Sequence, residues 1–495
     1  MNGLLVAGTS SDAGKSVVTA GICRWLARQG IKVAPFKAQN MSLNSMVTMD
    51  GAEIGRAQAM QAAAAGVEPE AAMNPVLLKP GANGTSQVMV LGQPVAEADA
   101  LSYRDLKPRL ERTVLNCLAS LAERYDVVVC EGAGSPAEIN LRSHDIANMG
   151  LARAAGLPVV IVGDIDRGGV FAGLYGTLAL LSPEDQALVA GYLVNKFRGD
   201  ARLLGPGLDM VAALTGRPVL GVLPWTPGLW LDAEDSLSLG PGLPRGSAPS
   251  PGSEPLRIAI VRFPHISNFT DADALAAEPG VTARFTTLAA DIRDADLVIL
   301  PGTRATVADL GWLREHGLAE QVTARAAAGR PVLGICGGYQ MLARDIHDDV
   351  ESGAGTVPGL GLLPATTCFR REKVLRRSQG TAFGATVTGY EIHHGDVEAN
   401  GGEPFPGGCA AGPVYGTSWH GLCESDDFRR AFLREVASAA AATFVPGEVS
   451  FADLREARLD TLGALISHNA DTSALMNLLF RGAPSGLPFV PPGAP

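Results

Sequence analysis

The sequence predicts an α/β protein of two consecutive units, each built on a mostly parallel sheet covered by helices. Three observations predict it. Short apolar runs of strand type recur along the chain, and several end in glycine or an acid just before a helical stretch. The loop 8–16 (GTSSDAGKS) and the turn 334–338 (GICGG) each sit between such a run and a helix. The stretch 236–255, dense in Gly, Pro and Ser, divides the two halves as a linker.

Composition sets the outer bounds. A chain of 495 residues suggests several domains, and 46% hydrophobic against 18% charged residues gives ample core. The formal net charge of −11 argues against nucleic acid or an anionic membrane as partner. Cys23, Cys117, Cys130, Cys336, Cys368, Cys409 and Cys423 are scattered, with no C-x-x-C pair. That pattern fits a reducing compartment and speaks against a disulfide framework or a zinc site. The start lacks a basic leader and no apolar run reaches 18 residues, so a cytoplasmic protein without a membrane span is expected.

The first unit opens with the strand Leu4–Ala7, the glycine loop, and a helix from Val17 to Arg28. This is the context of a P-loop, whose inward backbone N–H groups hold phosphate oxygens. Thr9, Asp12, Gly14, Lys15 and Ser16 are the expected nucleotide contacts. Lys15 would reach the β/γ-phosphates, and the Ser16 hydroxyl would bind Mg²⁺. Five residues separate Gly8 from Gly14, one more than the standard spacing.

A strand, Val33–Lys37, leads into the polar tract 38–45, with Lys37, Gln39, Asn40, Asn44 and Ser45. Such a tract either touches substrate or caps a helix, and the second polar stretch 73–80 poses the same choice. The strand 126–131 ends at Glu131, a carboxylate placed as the second Mg²⁺ anchor. The strand 158–164 runs into Asp164, Asp166 and Arg167; the two acids bind metal or substrate, or cap the next helix. Asn195 lies on a fourth strand, 191–196, where a base contact is expected, and Pro218–Pro224 is a fifth strand.

In the second unit, the strand 296–303 ends in a turn at Gly302 that can aim backbone N–H groups at an oxyanion. The elbow follows. A strand that bends sharply into a helix has no room for Cβ atoms, hence the glycines around Cys336. The sulfur is expected to project into solvent at a helix N-terminus, which lowers a thiol pKa. A buried structural cysteine is the ordinary alternative. His420, after the strand at Val414, is the expected proton partner, with His393 and His394 as competitors. His144, His265, His316, His347 and His468 have no metal-ligand spacing and read as surface or structural. The tail 444–495 contains a helix near Phe451–Ser467 and is expected to pack on the second unit.

With both motifs in view, the chain resembles the cobyric acid synthase family, glutamine-dependent amidases of the cobalamin pathway, over nearly its full length. The loop Gly8–Ser16, with its extra residue, is similar to that of the dethiobiotin synthetase group of P-loop enzymes. The elbow and His420 resemble a class I glutamine amidotransferase. The tracts 36–45, 73–80, 163–169 and 389–393 are the ones that resemble this family in particular. The resemblance implies an ATP-dependent amidoligase domain over 1–235, the linker 236–255, a glutamine amidotransferase domain over 256–443 and an extension over 444–495. It implies amidation of the b, d, e and g carboxylates of adenosylcobyrinic acid a,c-diamide to adenosylcobyric acid. ATP, Mg²⁺ and glutamine would serve, with cobalt only as part of the corrinoid.

Under that resemblance Lys37, Gln39, Asn40, Asn44, Ser45, Asp164, Asp166 and Arg167 would hold the corrinoid. Gly302 and the Gly337 N–H would form the oxyanion hole. Standard class I members carry an acid two residues after the histidine; Leu422 stands there, so a Cys–His dyad without an orienting carboxylate is expected, unless Glu424 or another acid substitutes. Two rivals remain: the sibling enzyme that amidates the a and c carboxylates of cobyrinic acid, and a P-loop ATPase with a non-catalytic amidotransferase-like module.

Overall fold

A computed structural model describes residues 1–81, 84–99, 102–226, 229 and 246–491. Of the expected linker, residues 236–245 lie outside the described residues.

The first sheet has six parallel strands, in the order Val219–Pro224, Val189–Phe197, Val159–Asp164, Gly3–Gly8, Val127–Glu131, Val33–Phe36. Its strands read as unbroken apolar runs because both faces are buried. Leu5, Ala7, Val128, Cys130, Val159 and Ile161 enter one core, and Leu4, Val6, Val127, Val129, Val160 and Val162 the other. This is the period-two alternation of a strand read twice. A second, seven-stranded sheet runs Val281–Thr286, Leu256–Val261, Leu297–Leu300, Val332–Ile335, Val414–Thr417 in parallel, then Gly408–Ala411 and Glu403–Phe405 antiparallel.

Two smaller features bring the units together. In the first unit, Gln39–Met41, Val76–Pro80, Ser86–Val90 and Gln93–Ala98 form a four-stranded sheet. In the second, a long antiparallel hairpin, Ala365–Ala382 and Ala385–Ala399, packs Tyr390 and Ile392 against Val47 of the first.

The tail departs from expectation. Its start packs on the second unit, with Phe444 and Phe451 in that core and the Gly447 N–H on Glu278, but the body of the helix Phe451–Asn469 lies on the first unit. Leu459, Leu462, Leu465 and Ile466 complete the core under the helix Lys15–Arg28, and Arg24 donates to Asp460 at 2.7 Å and to Glu456 at 2.6 Å. Farther on, Gln186 and the Val490 backbone exchange two hydrogen bonds, both 2.9 Å. The chain therefore passes from the first unit to the second and returns to strap the first. Among the described residues no helix is long and apolar enough to cross a membrane.

Candidate functional site

Strands of a parallel sheet deliver their loops to one edge, the carboxyl edge. In the first sheet that edge gathers the loop 9–14, Glu131, Asp164 and Asn195. Gly14 has φ 97°, and a Cβ there would lie 2.0 Å from the Asn195 amide nitrogen, so only glycine fits. Asn195 donates from that amide to the Ala13 carbonyl at 3.0 Å, bracing the loop from below. Lys15 curls into the loop and donates to the carbonyls of Ser10 at 2.9 Å and Gly134 at 3.0 Å. The Thr9 N–H donates to Val162 O at 2.9 Å. Asp12 sits exposed on the rim, paired with Arg167 at 3.3 Å.

Below the loop, Glu131 is fully buried and heavily engaged. The Ser16 hydroxyl donates to its Oε1 at 2.9 Å, Lys37 Nζ to the same oxygen at 2.9 Å, and Gln61 Nε2 to Oε2 at 2.5 Å. Burial pushes this carboxyl up, but Lys37 outweighs it, with help from Gln61 and Lys15, and holds it below the usual range. A hydroxyl and a carboxylate oxygen at this spacing suit a hard cation that keeps its remaining ligands as water and phosphate. Among the described residues no cluster of three or more His, Cys, Asp or Glu is placed to hold a metal.

The residues expected to hold a corrinoid separate into groups. Gln39 is half-exposed and accepts from Tyr103 at 2.7 Å. Lys37, Asn40, Asn44 and Ser45 are buried, and each makes hydrogen bonds within the protein. Lys37 serves Glu131. Asn40 donates to Gln58 at 2.7 Å. Asn44 and Ser45 meet the second unit: Asn44 Oδ1 accepts from Phe269 N–H at 3.2 Å, and Ser45 N–H donates to Asn268 at 2.9 Å. The physical reason is that small polar side chains were needed to satisfy a buried interface. Asp164, Asp166 and Arg167 stay at the rim of the P-loop, with Asp164 paired to Lys196 at 2.8 Å and Asp166 to Arg198 at 2.8 Å.

In the second unit Cys336 stands at the apex between Val332–Ile335 and the helix Gly337–Leu342, with φ 51° and ψ −110°. A non-glycine residue at that φ is strained, and the packing imposes it. A Cβ on Gly338 would lie 1.9 Å from the Leu300 carbonyl oxygen, which is why the elbow needs glycine. The sulfur does not project into solvent as expected. Cys336 is 6% exposed and lines a cavity at the domain boundary, roofed by the hairpin: its sulfur is 3.7 Å from the Ile392 carbonyl oxygen. Lys79 and Gln87 of the first unit line the same cavity, opposite Arg304, Gln340 and Lys373.

His420 is the histidine on the sulfur. Burial raises the Cys336 pKa, but the charge and hydrogen bond of His420, then His393 and the Gly337 N–H, outweigh it and lower the thiol. His393 instead meets Glu391 at 3.1 Å, and His394 is pushed down to about 4 by burial and by Lys373 and Arg304. Gly302 lies against His420: a Cβ on it would stand 3.0 Å from the imidazole Cε1.

The structure supplies the orienting acid that the sequence left open. Asp271, on the turn Phe269–Ala272, accepts from His420 Nδ1 at 2.7 Å and from the Gly421 N–H at 2.8 Å. Burial lowers the imidazole pKa, but Asp271 and then Cys336 reverse this and raise it to about 10. Glu424 is occupied elsewhere, by Arg56 at 2.5 Å and Arg455 at 3.3 Å. Sequence reasoning missed Asp271 because nothing in its spacing points to a histidine 149 positions away. Burial does not single it out either, since Asp271 and Asp273 both lie in the buried run 266–276.

Such a constellation can attack a carboxamide with a thiolate, protonate the leaving amine and release an acid, while the first unit binds a nucleotide. The chain matches two domain families: the CobQ/CobB/MinD/ParA nucleotide binding domain over residues 4–239 and the CobB/CobQ-like glutamine amidotransferase domain over residues 257–428. It is similar to curated proteins across its length. The cobyric acid synthase of Streptomyces coelicolor is 65% identical over 498 residues, covering 100% of this chain and 99% of that one. That of Streptomyces avermitilis is 64% identical with the same coverage, and that of Frankia casuarinae 63% over 524 residues, covering 99% of both.

Proposed function

The chain belongs to the cobyric acid synthase family, and from that premise we propose that it amidates the b, d, e and g carboxylates of adenosylcobyrinic acid a,c-diamide, drawing on ATP and glutamine. The observation that carries this reading is that both half-sites are intact in one chain: the Lys15–Ser16–Glu131 cradle and the Cys336–His420–Asp271 triad. Residues 1–235 form the amidoligase unit and 256–443 the amidotransferase unit. Of the extension 444–495, residues 444–451 pack on the second unit and 459–479 on the first.

A free carboxylate is a poor acyl donor to ammonia, because oxide would have to leave. Transfer of the γ-phosphoryl group from ATP gives an acyl phosphate and ADP; ammonia then displaces phosphate and leaves the amide. Lys15 and Lys37 supply positive charge where the phosphoryl group moves. Ser16 and Glu131 are the residues that would hold Mg²⁺, which offsets phosphate charge when bound. Thr9, Asp12, Gly14 and Asn195 shape the nucleotide side. Gln39, Asp164, Asp166 and Arg167 remain the candidates at the corrinoid surface, with cobalt carried only by that substrate.

Glutamine supplies the nitrogen. The Cys336 thiolate attacks the side-chain amide carbon, and the Gly337 and Gly302 N–H groups stabilise the oxyanion. His420 gives its proton to the departing ammonia and then takes one from the water that releases glutamate from the thioester.

The test is turnover of adenosylcobyrinic acid a,c-diamide with Mg-ATP and glutamine. The expected result is four glutamates per corrinoid and a product that co-elutes with adenosylcobyric acid. Turnover of cobyrinic acid that stops at a diamide would move the chain to the sibling reaction, and ATP hydrolysis with no corrinoid product would overturn the reading.

A further inference from the structure

We propose that Arg56 and Asn44, both in the P-loop unit, are positioning residues for glutamine hydrolysis: from across the domain boundary they hold the two segments that carry His420 and Asp271. The proposal rests on Cys336 as the glutamine-hydrolysing nucleophile and not on the identity of the carboxylate substrate.

The Asp271 segment is held at its start. Asn268 sits in the left-handed region, with φ 49°, and opens the turn Phe269–Ala272. Its side chain accepts from Ser45 N–H at 2.9 Å, and the next N–H, of Phe269, donates to Asn44 at 3.2 Å. Two residues of the first unit thus fix the first peptide of the turn. Within it, Asp271 N–H returns to Asn268 O at 3.2 Å, so the anchor and the acid share one small ring.

The His420 segment is held at its end. Glu424 closes the turn Leu422–Glu424, its N–H donating to the Gly421 carbonyl at 2.9 Å. Gly421 in turn gives its N–H to Asp271. The Glu424 carboxylate takes Arg56 at 2.5 Å, and Arg56 is only 3% exposed. An apolar contact would dock the two units without the desolvation cost of a buried charge. A directed ion pair adds a fixed position, and an acid–histidine–thiol relay tolerates displacements of only about half an ångström.

The same helix that begins at Arg56, Arg56–Ala64, carries Gln58, which takes the Asn40 amide, and Gln61, which donates to Glu131. One rigid element therefore touches both the carboxylate under the P-loop and the segment behind His420. The hydrolytic site is incomplete without the unit that uses its ammonia.

The experiment uses the full chain with Arg56→Met, Arg56→Lys, Asn44→Ala and, from the other side, Glu424→Gln. Glutamate release is measured against pH, and amidation is measured with ammonium chloride in place of glutamine. The expected result for Arg56→Met is a 10- to 100-fold lower kcat for glutamate release with KM little changed, where the range is about that of a misplaced catalytic group. The basic limb of the pH profile moves down as His420 loses its carboxylate. Ammonia-dependent amidation stays within about twofold, Arg56→Lys recovers part of the loss, and Arg56→Met with Glu424→Gln is no worse than either alone. Wild-type glutamate release in Arg56→Met and Asn44→Ala, or an equal fall with both nitrogen sources, would overturn the proposal. A wild-type chain that releases glutamate yet amidates no corrinoid would overturn the proposed function alone, since the glutamate assay still decides this point.

Discussion

His420 Nδ1 donates to Asp271 Oδ2 at 2.7 Å, which commits the other ring nitrogen, Nε2, to the Cys336 sulfur. An asparagine at 271 keeps the size but offers an amide, and the ring is free to take the wrong tautomer. Asp271→Asn should therefore cut glutamate release by about 10³- to 10⁴-fold. Amidation from ammonium chloride should be unaffected. A loss below tenfold in glutamate release would return the site to a dyad.

The pH dependence follows from the same pair. The reactive form is thiolate beside imidazolium. Cys336 loses its proton below the ordinary thiol range, and His420 keeps its own up to about 10, so between the two both groups are in the reactive state. kcat/KM for glutamate release should rise as the thiol ionises below the ordinary thiol range and fall only as pH nears about 10, where the imidazolium is lost. A basic limb near the ordinary histidine range would contradict the close contact with Asp271.

Lys37 separates a binding role from a chemical one. Its ammonium lies 2.9 Å from Glu131 Oε1, the oxygen that Ser16 also uses, and it is buried. Lys37→Met should lower kcat for amidation about 10²-fold with either nitrogen source, the scale of one preorganised charge at a developing anion. KM for the corrinoid should stay near wild type, and glutamate release should continue. A rise in corrinoid KM at unchanged kcat would restore Lys37 to the substrate surface.

What was legible in the sequence was local. Gly14 and Gly338 mark the two sharp turns because a Cβ has no room at either, and Lys15, Ser16 and Cys336 are fixed by those turns. The strand that ends at Glu131 and the strand that carries Asn195 could be read because a parallel sheet buries both faces and leaves continuous apolar runs. What was not legible depends on contacts between distant segments. Asp271 follows the strand Leu256–Val261 and His420 the strand Val414–Thr417, which come together only with two further strands paired between them, and Leu422 at the usual acid position gave no pointer to which acid would serve. Asn44 and Ser45 look alike in sequence whether they face a corrinoid or a buried interface. The tail's apolar residues 459–466 carry no sign of which unit they cover.

The last prediction concerns how the units stay joined. Glu53 of the first unit is fully buried between Lys79 at 2.5 Å and Lys373, on the hairpin of the second unit, at 2.6 Å. Burial raises the Glu53 carboxyl, but Lys373 and Lys79 together outweigh it and hold it well below the usual carboxylate range. The cost falls on Lys373, which burial draws down to about 8 despite Glu53. Such a group is poor as glue, since apolar residues of similar volume dock as well, yet breaking it strands a charge. Glu53→Gln should therefore lower the urea midpoint by the equivalent of about 3 kcal/mol, because it leaves the buried Lys79 and Lys373 ammonium groups without their carboxylate. Adding Lys373→Met should restore part of the loss, because one of the two stranded charges is gone, while Lys79 keeps the Ser45 hydroxyl at 3.1 Å. Equal losses in the single and double variants would mean that Lys373 acts through packing and not through its charge.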